Sequence, residues 1–529
     1  IFAVILGVSA RRRAEPVTEA FAIPLRWTAI PLAAMTLALV AKAGYVQLLN
    51  DSDIIARDTV VYQEDGVKRA QHNPRLNSLA RELTRGDILD RNGVILATSD
   101  WTRLERNRKL YEQLGVSLDT CCSRIDNRFY PFGPITAHLT GDLRTGEKFH
   151  ASNSSLIEHD QNAKLQGFTD LSELAPLVRY RHQPGHRELE ALRARDRSVR
   201  TSIDIRLEIK AADILARRLQ AAGKERGALV VMNAETDVLA LVSAPSIPAS
   251  GAAPDQLLDR ARYGQYPPGS TFKLVTAMAA LRIDPALEKK RFHCGPLGDG
   301  RVGARIPGWN RPIRDDVGDA AHGSPDMARA IAVSCNAYFA QLGVSEVGTK
   351  SLIETAQLLD IPVGDPAEVR KMLPFAAYGQ GPVLITPFKM ARVAATIANG
   401  GLMPVGRWVT DDSNPRRDAP KPLLAPERAE FLARAMRAVV TEGTAQRVMK
   451  GLDVQTAGKT GTAQMDEGAP HSWFTAFAPY DAPPARRIAI AVVVEHGGYG
   501  AQTAAPIARE VIEAARDLGM FQETNSAHQ

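Results

Sequence analysis

Strand-forming sequence stands at both ends of one long region of this chain, with helix-forming sequence between, and this constrains the fold more than any other feature. Gly227–Met232 and Val238–Ser243 flank a turn at 233–237 and predict a β-hairpin. Trp473–Phe477 and Ile488–Val494 predict two more strands near the other end. Apolar periodicity predicts helices over 205–222, 270–281, 326–342, 350–359, 387–399, 426–441 and 505–518. Strands from both ends must meet to bury their apolar faces. The expected fold class is α+β, with an antiparallel sheet completed by N- and C-terminal segments.

With 529 residues, the chain is long enough for two or three domains. Its 45% apolar and 23% charged residues are ordinary globular values, and the net charge of +6 is not gathered into a dense basic run. No nucleic-acid motif occurs. Cys121, Cys122, Cys294 and Cys335 form no C-x-x-C pair, so no zinc or redox motif is read and no metal ligand is expected. His182 and His186 have the spacing of a helical metal pair, but Pro184 and Gly185 break any helix between them.

The stretch from Trp27 to Leu49 is about long enough to span a bilayer. Arg11–Arg13 and Arg26 precede it, which predicts a cytoplasmic N-terminal side and an extracytoplasmic remainder. No small-residue cleavage site follows, so an uncleaved anchor is expected rather than a signal peptide. Ile1–Val8 reads as the end of an earlier membrane helix. From 51 to about 200 the chain is polar and hard to assign, apart from Asn92-Gly93, a hairpin signal between two apolar runs.

Three short motifs carry chemistry. Ser270-Thr-Phe-Lys273 follows Tyr266-Pro-Pro-Gly269 where a helix should begin. Residues i and i+3 share a helix face, so the lysine amine can reach the serine oxygen and act as its base. Ser334-Cys335-Asn336 sits in an apolar helical context, and Lys459-Thr460-Gly461-Thr462 stands just before an apolar strand. Each motif alone is weak; the three in this order are not. Cys335 reads as a small buried filler and His322 as a structural hydrogen-bonding residue.

The ordered triplet resembles that of the class B penicillin-binding proteins, monofunctional peptidoglycan transpeptidases. The likeness extends to the anchor, Arg85-Gly-Asp-Ile-Leu-Asp-Arg-Asn-Gly93, Tyr130-Pro131 with His138, Thr201-Ser-Ile-Asp204, Tyr378-Gly-Gln-Gly381 and Gly443-Thr-Ala445. Asp237 stands where a glycine commonly lies, which bears only on the turn. The resemblance implies a cytoplasmic segment over 1–23, an anchor over 24–49, an elongated mixed α/β pedestal over 50–200, a transpeptidase domain over 201–520 and a disordered tail over 521–529.

It also implies roles. Ser270 attacks the penultimate D-Ala of a D-Ala-D-Ala stem peptide, and Lys273 takes its proton. Ser334 relays a proton to the leaving amine. Asn336 holds Lys273 and donates to a substrate carbonyl. Lys459, Thr460, Gly461 and Thr462 receive the terminal carboxylate, and the backbone N–H groups of Ser270 and Thr462 form the oxyanion hole. No cofactor is implied. The implied partners are stem peptides, β-lactams as inhibitors, the membrane, and a SEDS-type glycosyltransferase acting in trans or fused upstream. The implied location is the bacterial cytoplasmic membrane, with the catalytic domain outside it. A serine β-lactamase or D,D-carboxypeptidase is the nearest alternative. A non-catalytic β-lactam sensor or envelope scaffold is the alternative from another class.

Overall fold

The computed structural model describes residues 19–46, 59–62, 68–71, 74–144, 155–248, 253–410 and 419–522. Helix α1 (Glu19–Gly44) includes an exposed stretch, 27–44, long and apolar enough to cross a membrane. The expectations for Ile1–Val8, Arg11–Arg13 and residues 523–529 lie outside the described residues.

The chain divides into two compact units. One comprises the described residues up to Thr84 together with Gln166–Asp196; the other comprises Arg85–Leu165 and the chain from Arg197 onward. In the first, β1 (Thr59–Tyr62) pairs antiparallel with β2 (Lys68–Gln71). Leu76, Leu83, Leu174, Leu177, Leu189 and Leu192 form most of its small buried cluster.

All three motifs lie in the second unit. There β3 (Ile88–Leu89) and β4 (Ile95–Ala97) make the hairpin expected at Asn92-Gly93, and β5 (Val199–Arg200) joins β3 in parallel. Gly93 takes φ +84°, the left-handed conformation such a turn requires. Asp90 accepts from Asn92 N and Val94 N within the turn and from Ile205 N, while Asn92 Nδ2 donates to Asp204. The turn thereby docks on the first residue of α2 (Ile205–Ala221), whose N-cap is Asp204.

The main sheet is five-stranded and antiparallel, in the order β11-β12-β13-β6-β7. Its members are β6 (Gly227–Asn233), β7 (Val238–Ala244), β11 (Ala457–Ala463), β12 (His471–Ala478) and β13 (Ile488–Val494). The early hairpin pairs with the last strand through β6 and β13, with Val494 opposite Gly227. One face is covered by α6 (Pro387–Ala398); α2 and α9 (Ala504–Asp517) cover the other. Ten of the twelve residues of α6 are buried, which explains why its sequence is apolar nearly all round.

Two expectations change. The K-T-G motif does not merely precede a strand: Lys459 to Thr462 lie within β11 itself, a seven-residue strand poor in β-formers that exists because it pairs with β12 along its whole length. The single helix expected over 326–342 is two helices, α4 (Met327–Ala332) and α5 (Asn336–Leu342). Ser334 sits between them at φ +60°. Ser334 N donates to Ile331 O and Cys335 N to Ala330 O, the bond pair of a Schellman C-cap with serine in the usual glycine position. Cys335 then caps α5, its Sγ accepting from Tyr338 N.

Candidate active site

Ser270 lies on a 3-10 turn, Gly269–Phe272, that runs directly into α3 (Lys273–Ile283). The turn is held from two sides by glycines. Gly269 has φ +52°, and a Cβ there would meet Thr462 O at 2.5 Å. Gly379 has φ +85°, and a Cβ there would meet Gly269 O at 2.0 Å; Gly269 N donates to Gly379 O. The Tyr378–Gly381 segment is thus a buttress for the serine turn, and its glycine is a packing requirement. On the other side Trp473 Nε1 donates to Pro267 O, so this buried indole ties β12 to the same turn.

Lys273 is wholly buried, with its Nζ 3.0 Å from Ser270 Oγ. The same Nζ contacts Asn336 Oδ1 at 2.7 Å, Ser334 Oγ at 3.2 Å and, very closely, Ser334 O. Two of these partners, the Ser334 carbonyl and the Asn336 amide oxygen, can only accept. When the amine is neutral, they can take its two hydrogens and leave its lone pair for the Ser270 hydroxyl. Burial drives the Lys273 pKa down to about 8, against the opposing charge of Asp315.

Lys459 is equally buried; its Nζ donates to Ser334 Oγ at 2.8 Å and to Thr460 O at 2.9 Å. Burial and then the Lys273 charge hold its pKa well below the ordinary lysine range. Ser334 Oγ therefore stands between two amines, within hydrogen-bond reach of each. Such a bridge can pass a proton from one side of the cleft to the other. Thr460 Oγ1 pairs with Thr444 Oγ1 at 2.6 Å, and Thr462 Oγ1 accepts from Gly500 N at 3.4 Å. β11 has a strand neighbour on one side only; its free side faces the Ser270 turn. The expected residues of all three motifs thus converge on one place.

Sequence reasoning missed Asp315. It follows the two-residue strand β10 (Ile313–Arg314), which pairs with β9 (Val302–Ala304), itself paired with β8 (Gly295–Pro296). Its Oδ1 accepts from Asn336 N at 2.5 Å and Ala337 N at 3.1 Å, capping α5. Asn336 Nδ2 donates to Arg314 O, which turns Oδ1 toward Lys273. Burial opposes ionisation of Asp315, but hydrogen bonds from His322 and Cys294 and the Lys273 charge hold its carboxyl well below the usual range. No local signal in the sequence marks it, since it stands in irregular chain between short strands.

The cysteine spacing carries no metal motif, yet folding gathers two of the cysteines with an aspartate and a histidine. The ligand atoms of Cys294, Asp315, His322 and Cys335 all lie within 4.8 Å of one another. Asp315 Oδ2 accepts from Cys294 Sγ at 3.0 Å, from His322 Nδ1 at 3.0 Å and from Cys335 Sγ at 3.3 Å. Two thiols, an imidazole and a carboxylate are a donor set that could hold a tetrahedral ion such as zinc. Cys335 is buried as expected, but it works as a cap and as part of this cluster. The residues were invisible as a set because folding, not spacing, assembles them.

Residues 227–513 match the model of the penicillin-binding protein transpeptidase domain. Among similar proteins, the peptidoglycan D,D-transpeptidase PbpA of Mycobacterium tuberculosis is 31% identical over 348 residues, 55% of this chain and 67% of that protein. The peptidoglycan D,D-transpeptidase MrdA of Haemophilus influenzae is 26% identical over 471 residues, 73% of this chain and 69% of that protein. A solved structure of penicillin-binding protein A from M. tuberculosis, an acyl-enzyme complex with ceftriaxone, superposes with a TM-score of 0.61 at 27% identity. It covers 83% of this chain and 99% of that one. With the serine, its buried lysine and the edge strand in place, the chain belongs to the penicillin-binding protein transpeptidase family and is a class B member, a peptidoglycan D,D-transpeptidase.

Proposed function

We propose that Ser270 is the acylated nucleophile and Lys273 its base. The supporting observation is the Lys273 amine, whose hydrogens are claimed by Ser334 O and Asn336 Oδ1 while Ser270 Oγ lies 3.0 Å away. Ser270 Oγ loses its proton to Lys273 and bonds to the carbonyl carbon of the penultimate D-Ala. The tetrahedral intermediate collapses, the C–N bond to the terminal D-Ala breaks, and the departing amine takes a proton through Ser334. An acceptor amine then attacks the Ser270 ester, forming the new amide and restoring the serine. Lys459, Thr460, Gly461 and Thr462 receive the donor's terminal carboxylate, and the N–H groups of Ser270 and Thr462 stabilise the oxyanion. Penicillin-type lactams acylate the same oxygen.

Helix α1 supports membrane anchoring; we further infer an extracytoplasmic catalytic unit with a SEDS-type glycosyltransferase as partner. The chain over 50–200 serves as the pedestal between anchor and transpeptidase. Labelling with fluorescent penicillin tests the first part: the wild type gains one covalent adduct, Ser270→Ala none, and an adduct on the variant overturns the assignment. A donor stem peptide offered with a labelled D-amino acid tests the second. Incorporation of the label supports amine transfer; release of D-Ala to water alone marks a carboxypeptidase.

A further inference from the structure

Helix α7 (Pro426–Thr441) packs on β11 and on α4, and a short helix, α8 (Gln446–Met449), follows it. A cavity of about 560 Å³ opens between the end of α7, α8 and the chain leading into β11. Val440, Met449 and Val454 make an apolar floor, and Arg437, Arg447 and Lys450 stand around it; among the described residues no carboxylate lines it. Arg437 is fixed, with Nη1 on Thr456 O at 2.8 Å and its guanidinium over the Tyr480 ring. Arg447 and Lys450 are exposed, and neither side chain has a partner among the described residues. The neighbouring Asp453 is engaged by Arg516. The last carbonyls of α7 favour these cations but cannot neutralise them.

The cavity is joined to two catalytic motifs by backbone and hydroxyl contacts. Thr444 N donates to Ala332 O, two residues before Ser334, and a Cβ on Gly443 would meet the same oxygen at 2.2 Å. Thr444 Oγ1 pairs with Thr460 Oγ1, next to Lys459, and the lining residue Thr456 leads directly into β11. Whatever orders 443–456 therefore bears on both sides of the Ser334 bridge.

We propose that this cavity is a second, non-catalytic binding site for the acidic stem peptide of another peptidoglycan strand, and that its occupancy promotes acylation of Ser270. The volume suits a short peptide. The floor takes alanine methyl groups, and the two unpartnered cations take carboxylates. The proposal rests on the transpeptidase reading, since that reading supplies a polymer bearing these groups near the protein.

The test uses the full chain in detergent, a soluble muramyl tripeptide lacking D-Ala-D-Ala, and the double charge reversal Arg447→Glu with Lys450→Glu. Both substituted side chains are exposed, and unchanged thermal melting of the variant establishes that it folds. The tripeptide should bind the wild type by calorimetry and raise its penicillin acylation rate by about fivefold, the low end of ordinary couplings. The variant should acylate at the wild-type basal rate, bind no tripeptide and show no acceleration. Binding retained by the variant overturns the site, and binding without acceleration in the wild type overturns the coupling. Slowing of both proteins alike means that the peptide occupies the catalytic cleft, which also overturns the proposal. Acceleration by inorganic phosphate to the same degree overturns the stem-peptide assignment in favour of a general anion site. Absence of basal labelling in the wild type would instead sink the role of Ser270.

Discussion

Charge is buried in two parts of the second unit, in opposite ways. At Glu158 the carboxylate is wholly buried, with Arg128 on one oxygen at 2.8 Å and Arg85 on the other. Tyr130 OH donates to it as well, and Arg128 Nη1 reaches Gly86 O. Each charge there has an opposite partner, so the cluster welds Arg85-Gly86 to Arg128, Tyr130 and Glu158 and has no reason to react. At Ser270 the two buried side chains are both amines, and among the described residues no carboxylate touches either of them. Asp315 acts on Lys273 only through space and through Asn336. A pair of desolvated like charges cannot both ionise. One site uses burial to fix the chain, the other to lower the pKa of an amine so that it can serve as a base.

The comparison is sharpened most by Lys273→Met. It should reduce penicillin acylation by at least about 10³-fold, in the range of a lost general base, while leaving the melting temperature unchanged or raised. Rapid-mixing acylation kinetics and calorimetry read the two effects, and a large loss of stability would show that Lys273 is charged and paired after all. Glu158→Gln should do the reverse. It strands Arg128 and Arg85 without their counter-ion, which costs about 3–5 kcal/mol of stability in chemical denaturation, with the acylation rate of folded protein nearly unchanged.

The smallest effect is in pH. Lys273 works as a base only when neutral, and its pKa is pushed to about 8 by burial, so the neutral fraction grows as pH rises through that value. Acylation should therefore climb with a midpoint near 8 and flatten above it. A flat profile from pH 6 to 10 would break the link between burial and basicity.

Much of this was legible in the sequence. The 227–243 hairpin, α6, α7 and α9 stand within one or two residues of their expected bounds, because their apolar periods agree with their tertiary surroundings. The three motifs were readable because their residue types and order are restrictive. What could not be read depended on contacts between distant segments. β11 lacks strand propensity and forms only against β12. Asp315, Cys294 and His322 come together through two-residue strands too short to leave a pattern. The break at Ser334 was hidden because nothing in Ala332-Val333-Ser334 discourages a helix, and the C-cap there uses a residue that sequence rules do not anticipate.

That serine marks a conflict between durability and work. A left-handed residue with a Cβ costs roughly 1–2 kcal/mol relative to glycine, and the hydroxyl that bridges Lys273 and Lys459 is what the cost secures. Any search for a sturdier version of this protein that scores backbone stability alone will be drawn to glycine at 334. It would yield a molecule that melts later and has lost the bridge between its two amines.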